Sequence, residues 1–184
     1  MDDLSLTLYD LCINAIDAKA THIDIELLID DIKKIISIKI KDNGVGMSNE
    51  QIEKTYDPFY TTRTTRRVGL GIPYLKQLTE QCDGLMAITS TPGVGTTLYA
   101  ELKKDHIDCP PFGDLAETLY MLIIHQNAFD FTFSLGVNQK TIHIKKSEII
   151  EATQGLDLYR GSVKKAIQSY INDSIHQIKG DEDL

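Results

Sequence analysis

Cysteine is scarce in this sequence, and its three occurrences fit no pairing pattern. Cys12, Cys82 and Cys109 are odd in number, and no two of them have C-x-x-C spacing. The odd number argues against a disulfide framework, and the missing spacing argues against a zinc knuckle. We therefore expect a reduced, cytoplasmic protein.

Long apolar runs and an excess of positive charge are also missing. No stretch approaches the roughly 20 apolar residues that cross a bilayer, and the acidic start Met-Asp-Asp-Leu is unlike a secretory signal. The net charge is −8, with −4 from residues 1–103 and −4 from residues 104–184. Because nucleic-acid-binding domains usually have a basic patch, we expect neither a membrane nor a nucleic acid as partner. Local Arg clusters could still bind a smaller polyanion.

Two common nucleotide-binding signatures are absent from the sequence as well. There is no G-x-x-x-x-G-K-[ST] loop and no G-x-G-x-x-G motif after a first strand. P-loop and Rossmann dinucleotide-binding folds are therefore not expected.

The chain does contain the patterns of an α+β fold. Its 184 residues are 42% hydrophobic and 25% charged, as in ordinary globular proteins. Pro110 and Pro111 interrupt the chain after Lys104, so we divide it into residues 1–103 and a smaller α+β unit, 104–184, packed beside the first. Periodicity predicts helices at 4–18, 48–56, 69–82, 114–125, 147–153 and 157–179, and strands at 21–29, 35–41, 85–89, 96–102, 129–135 and 141–145.

The second unit has no chemical motif, but its apolar patterns predict packing. Alternation places four side chains on one core-facing strand face, namely Phe129, Phe131, Phe133 and Leu135. The last helix has an apolar stripe of Val163, Ile167, Tyr170, Ile171 and Ile178. This helix either packs on the preceding hairpin or mediates formation of a homodimer.

Three polar residues share one face of the first helix. Asp10, Asn14 and Asp17 follow i, i+4, i+7 spacing between apolar flanks. The stripe either faces solvent or is partly buried, with Asn14 and a carboxylate holding a hydrated Mg²⁺ through oxygen ligands.

Glycine pairs follow at three places. Asp42-Asn-Gly-Val-Gly-Met47 comes directly after an Ile-rich strand; it is either an ordinary turn or a close approach to a flat ligand, with the carboxylate accepting from an exocyclic amine. A Thr- and Arg-rich loop leads into Gly69-Leu-Gly71 at a helix start, which is either a solvated basic loop or a phosphate site. Gly93-Val-Gly95-Thr-Thr97 enters a strand and is by itself a weak signal.

The order of these motifs resembles that of the Bergerat-fold ATPases, which include DNA gyrase, the ninety-kilodalton heat-shock chaperones, histidine kinases and mismatch-repair ATPases. Within this superfamily, Asp57-Pro-Phe-Tyr-Thr-Thr-Arg63 followed by Val-Gly-Leu-Gly-Ile is most similar to the ATP-binding domain of bacterial histidine kinases. The resemblance covers residues 3–103. It implies a two-layer sandwich of helices on a mixed, largely antiparallel sheet.

The resemblance also implies roles for individual residues in binding ATP and Mg²⁺. Asn14 would be the Mg²⁺ ligand and Asp42 would bind adenine. Asp10 would be either the catalytic carboxylate or a structural residue beside the Mg²⁺. The remaining nucleotide-binding candidates are Asp17, Gly44, Gly46, Met47, Phe59, Thr61, Thr62, Arg63, Arg67, Gly69, Leu70, Gly71 and Thr97. Arg63, Arg66 and Arg67 are alternatives for contact with the γ-phosphate.

Two departures from the kinase pattern affect the expected reaction. Only thirteen residues precede Asn14, so the helical hairpin with a phosphoacceptor histidine is not expected. Position 10 is Asp, whereas the ATP-hydrolysing branches use Glu. We therefore expect Mg²⁺-dependent ATP binding, coupled to phosphorylation or regulation of a separate protein partner. The alternatives are a non-catalytic ATP-dependent switch and a slow dimeric ATPase.

Overall fold

A computed structural model describes residues 3–57 and 70–179. Its helices are α1 (Leu4–Asp17), α2 (Asn49–Lys54), α3 (Gly71–Gln81), α4 (Leu115–Ile123), α5 (Lys146–Thr153) and α6 (Gly161–Lys179). Its strands are β1 (His22–Asp30), β2 (Ile35–Asp42), β3 (Leu85–Thr91), β4 (Gly95–Lys103), β5 (Asp130–Val137) and β6 (Lys140–Lys145). The elements follow the predicted order, and most boundaries agree within a few residues.

The strands form one sheet in the order β3-β4-β2-β1-β5-β6. Every neighbouring pair is antiparallel except β1 and β5, which are parallel. The sheet is thus mixed and largely antiparallel, which confirms the predicted α+β fold class. Strands β5 and β6, from residues 104–184, continue the sheet that β1 to β4 begin.

One face of the sheet is buried beneath the helices. The even-numbered residues of β2 and β4 and the odd-numbered residues of β1 and β5 point into this core, as Ile38, Leu98, Ile25 and Phe133 do. The predicted core face of β5 is confirmed, because Phe129, Phe131, Phe133 and Leu135 are all buried. On the opposite face, called the open face below, the side chains of the described strands are half-buried or exposed.

Helix α6 packs on α4 and on the β5–β6 hairpin. Of its predicted apolar stripe, Val163, Ile167, Ile171 and Ile178 are buried. The prediction was wrong for Tyr170, which is 51% exposed. Tyr170 lies about 100° around the helix from Ile171, at the margin of the buried stripe, where its side chain reaches solvent.

The segment after β4 holds the beginning of α1. The Leu4 and Ser5 backbone N–H groups donate to the carbonyl oxygens of Pro111 and Phe112 at 3.0 and 2.9 Å. The carboxylate of Asp3 caps the same turn by accepting from the Leu6 N–H at 2.9 Å. The helix that contains Asp10 and Asn14 is therefore fixed at its start.

Cys12, Cys82 and Cys109 are all free thiols. Burial raises the pKa of Cys12 to about 12 and that of Cys109 to about 11. None of the helices in the described parts of the chain is both long and apolar enough to span a bilayer.

Candidate functional site

Three polar side chains form a row across one end of the sheet. Asp42 of β2 pairs with Thr96 of β4, and Thr96 pairs with Ser90 of β3. All three belong to the helix-covered face, since they alternate in step with Ile40, Leu98 and Ile88. The Ser90 and Thr96 hydroxyl oxygens lie 2.9 Å apart. The row therefore places a carboxylate and two hydroxyls at one end of the helix-covered face of the sheet.

The carboxylate of Asp42 is half-buried and held in place by the backbone. Burial raises its pKa above the ordinary value, while N–H groups of Gly44 and Thr96 partly offset that effect. The Gly44 N–H donates to Asp42 Oδ1 at 2.8 Å. An oriented carboxylate in a partly apolar environment is a suitable acceptor for an exocyclic amine on a flat ring.

The turn after Asp42 is packed closely between α1 and the β3–β4 turn. The Val45 N–H donates to the Ala18 carbonyl at 2.8 Å, and the Val45 carbonyl accepts from the Gly93 N–H at 2.7 Å. A Cβ added at Gly44 would lie 2.7 Å from the Ala18 carbonyl oxygen. Glycine at position 44 thus lets the C-terminal end of α1 approach the Asp42 turn.

Gly46 is required for both its conformation and its lack of a side chain. Its φ is +67°, and an added Cβ would lie 2.0 Å from the Thr91 carbonyl oxygen. Gly93 also has a positive φ, +78°, but an added Cβ there would meet nothing within 4 Å. The two glycines therefore form a matched pair for mutagenesis.

We expect Gly46→Ala to lower the free energy of unfolding by at least about 2 kcal/mol more than Gly93→Ala. Both substitutions place a Cβ at positive φ, which costs roughly 1–2 kcal/mol, but only the first also forces Thr91 to move. Urea denaturation of both variants measures the difference. Equal losses of stability would show that the Thr91 backbone moves away from the added Cβ at no cost in free energy.

The polar stripe of α1 lies against the start of α3. A Cβ added at Gly71 would lie 3.3 Å from Asp10 Cβ and 3.6 Å from Asn14 Nδ2. Asp10 and Asn14 are half-buried, whereas Asp17 is exposed. The stripe is therefore not a uniform solvent face, because its first two members face a second helix.

Among the described residues, no side chain caps the N-terminus of α3. Its N-cap residue is Leu70, and Pro73 in the first turn has no N–H. The N–H groups that remain at this end are those of Leu70, Gly71 and Ile72. Uncapped N–H groups at a helix N-terminus, together with the helix dipole, favour the binding of phosphate.

The donor set beside this helix end suits Mg²⁺. The ion prefers oxygen ligands and in nucleotide sites is held by one or two protein groups together with phosphate oxygens. The amide oxygen of Asn14 and the carboxylate of Asp10 are ligands of that kind, and both residues adjoin Gly71 at the start of α3. Asn14 is thus the residue that would hold the ion, with Asp10 beside it.

Helix α1 connects the Asp42 turn with the residues at the start of α3. Its C-terminal end contacts the Asp42 turn at Ala18, and the Ala18 N–H donates to the Asn14 carbonyl one turn earlier, at 3.0 Å. Asp42, Gly44, Gly46 and Met47 therefore lie at one end of α1, while Asp10, Asn14 and Gly71 meet along its polar face.

The structure does not bring every predicted residue to these clusters. Thr97 alternates with Leu98, so its side chain lies on the open face, and Asp17 is exposed at the end of α1. Phe59, Thr61, Thr62, Arg63, Arg66, Arg67 and Gly69 lie outside the described residues.

Sequence reasoning missed two hydroxyl residues of the row, Ser90 and Thr96. Thr96 could have been found from its parity with the apolar residues of β4, since Thr96 and Leu98 share a face. Ser90 receives the Met47 N–H at 2.8 Å and donates to the Gly95 carbonyl at 2.8 Å. It therefore joins both glycine turns, a role that no sequence motif signals.

The family model and the similar known proteins point to the same family. Residues 1–106 match the family model described as histidine kinase-, DNA gyrase B-, and HSP90-like ATPase. Sensor histidine kinase YxdK of Bacillus subtilis (strain 168) is 29% identical over 84 residues, which are 44% of this chain and 25% of that kinase. Sensor histidine kinase YvrG of the same organism is 31% identical over 95 residues, or 50% of this chain and 16% of that kinase.

A third relative is sensor histidine kinase ZraS of Escherichia coli (strain K12), 29% identical over 96 residues, with coverage of 52% of this chain and 20% of the kinase. The chain thus spans a quarter or less of the length of these three relatives.

The fold also has a counterpart among solved structures. The crystal structure of the N-terminal domain of a DNA repair protein superposes with a TM-score of 0.56 and 19% sequence identity. The match covers 88% of this chain and 59% of that one, so the similarity in fold extends beyond residue 106. With more than half of its residues matched by the family model, the chain belongs to the histidine kinase-, DNA gyrase B-, and HSP90-like ATPase family, and its matched part is an ATP-binding, kinase-like domain.

Proposed function

We propose that this domain binds ATP with Mg²⁺ and uses it to phosphorylate, or to regulate through ATP, a separate protein. The observation that carries the proposal is the position of α1. Its polar face adjoins the uncapped start of α3, and its C-terminal end contacts the turn after Asp42. One helix therefore links an amine-accepting carboxylate to an anion-binding helix end, as a bound ATP molecule would require.

In this proposal, Asp42 accepts a hydrogen bond from the adenine amino group. Thr96 lies beside it and supplies a hydroxyl toward the base, and Ser90 holds that hydroxyl at 2.9 Å. Gly44 and Gly46 shape the turn, and the backbone of Met47 is held by Ser90. We assign the base-side hydroxyl to Thr96 in place of Thr97, because only Thr96 shares the face of Asp42.

This assignment predicts opposite results for two neighbouring threonines. Thr96→Val should weaken ATP binding about fivefold, because one hydrogen bond contributes about 1 kcal/mol. Thr97→Val should leave the affinity unchanged, since its side chain is on the other face of the sheet. Calorimetric titration of both variants tests the assignment, and the reverse pattern would restore Thr97 to the site.

The phosphates would bind the N–H groups at the start of α3, and Asn14 would hold Mg²⁺ beside them. The ion supplies charge neutralisation at the phosphates when bound. Asp10 would orient an acceptor hydroxyl or a water molecule. Phosphoryl transfer depends mostly on such positioning and electrostatic stabilisation, so a small set of fixed groups suffices.

Transfer of label from γ-labelled ATP tests the protein-directed reaction. Partners captured by the ATP-saturated protein are incubated with it, with Asp10→Asn as the matched variant that keeps the residue size. We expect label on a partner with wild type and a large loss with the variant. Absence of label, with ATP binding and partner capture intact, would contradict the kinase function and favour an ATP-dependent switch.

A further inference from the structure

The two edges of the sheet are protected to different degrees. An exposed edge strand can pair with another chain, and proteins usually block it with charged residues, proline or a bulge. Strand β6 begins with Lys140 and ends with Lys145, and helix α5 follows it at once. Strand β3, Leu-Met-Ala-Ile-Thr-Ser-Thr, contains no charged residue and no proline.

Strand β3 also lacks a bulge. Its register with β4 is continuous from the Leu85–Glu101 pair to the Thr91–Gly95 pair. It is the one strand of the described sheet without a charged residue, although it lies at an edge, where such residues are expected. Among the described residues, β4 is its only strand partner.

None of the side chains of β3 is fully buried. Leu85 is 49% exposed, and Met86 and Ile88 on the core side are only half-buried. In every other described strand at least one core-side residue is fully buried. The apolar layer is thus incomplete at this edge and would be extended by one more strand.

We propose that β3 is a dimerisation edge, at which a second copy of this chain pairs antiparallel to form one continuous sheet. The sequence of β3 is compatible with antiparallel pairing to a second copy of the same strand. With the two-fold axis at its midpoint, Ile88 faces Ile88, Ala87 faces Thr89 and Leu85 faces Thr91 of the second copy. No charged residue within the strand faces another.

The net charge of the chain favours an uncharged strand such as β3 as the contact between two copies. Two copies, each with a net charge of −8, repel one another over most of their surfaces. The nearest charge along the chain, that of Asp83, would lie opposite Gly93 in the same register. The uncharged edge is therefore a place where two copies can approach without bringing like charges together.

The edge also adjoins the nucleotide site proposed above. Ser90 belongs to β3 and hydrogen-bonds to Thr96 beside Asp42. In the dimer, Ser90 would lie opposite Met86 of the second copy, so the interface ends next to the row of polar side chains.

Sedimentation equilibrium on the full chain tests the dimer without nucleotide, so its result is independent of the proposed function. We expect reversible dimerisation at micromolar concentrations, with an association constant that rises with ionic strength as net repulsion is screened. A wild-type protein that stays monomeric up to about 200 µM would overturn the proposal.

A charge swap tests the register. Ala87 and Thr89 are both exposed, so substitution there leaves the core intact. Ala87→Lys with Thr89→Lys places lysine opposite lysine twice and should weaken association at least about tenfold. Ala87→Lys with Thr89→Glu places lysine opposite glutamate and should keep association within about threefold of wild type.

The opposite edge supplies the control. Thr141→Lys with His143→Lys adds the same charge to exposed positions of β6 and should not change association. Equal behaviour of the two β3 double variants, or loss of the dimer only in the β6 variant, would contradict pairing through β3. Circular dichroism of every variant establishes that each is folded.

Discussion

Asp42→Asn is expected to weaken ATP binding by roughly 10- to 100-fold. The carboxylate is half-buried and fixed by the Gly44 N–H at 2.8 Å, so it is oriented before a ligand arrives. A hydrogen bond to a charged group is worth about 1.5–3 kcal/mol, and an amide in its place loses that charge. Calorimetric titration with ATP measures the change.

The same substitution should not destabilise the protein without nucleotide. Burial raises the pKa of Asp42, so folding favours the protonated form and the ionised carboxylate is a cost at pH 7. Asparagine removes that cost. We expect the variant to melt at or slightly above the wild-type temperature at pH 7. The difference should shrink as the pH falls through the raised pKa of Asp42 and vanish once this carboxyl is protonated in the unfolded chain as well.

Asp24→Asn is the matched control. Asp24 is also a half-buried strand aspartate, but it lies on the open face, where its carboxylate contacts His22 at 3.1 Å. It should leave the ATP affinity unchanged. If Asp24→Asn and Asp42→Asn weakened binding equally, the effect would reflect net charge, and Asp42 would lose its assignment.

Asn14→Ala is expected to remove the contribution of Mg²⁺ to ATP binding. The side chain is half-buried on α1 and adjoins Gly71 at the start of α3. In the presence of Mg²⁺ the affinity should fall by about tenfold or more, whereas binding in EDTA should stay close to wild type. The effect follows because the ion is held by few protein ligands.

The control for Asn14 is Asn172→Ala, which makes the same change at an exposed position of helix α6. It should preserve the Mg²⁺ dependence. An Asn14→Ala variant that lost binding equally with Mg²⁺ and with EDTA would indicate a structural role for Asn14 between α1 and α3.

Helices and strands could be predicted here because their apolar periods are clear. Strand β1 alternates buried and half-buried residues along most of its length, and α1 buries Leu4, Leu8 and Leu11 at helical spacing. Periodic patterns of this kind can be recognised from the sequence alone. The order of the glycine pairs likewise identified the part of the chain that the family model matches.

Features that depend on register or long-range pairing could not be predicted. The hydrogen bonds by which Ser90 joins the two glycine turns depend on the register of β3 with β4. The parallel pairing of β1 with β5 joins residues more than a hundred positions apart. No local sequence pattern indicates such a contact, so only the structure shows that the six strands form one continuous sheet.

The most direct test of the account is calorimetric titration of the wild-type protein with ATP, first with Mg²⁺ and then with EDTA. The account predicts stoichiometric binding that Mg²⁺ strengthens, with selectivity for ATP over GTP because Asp42 accepts from the adenine amine. Absence of binding under both conditions would contradict it, as would equal affinity for ATP and GTP.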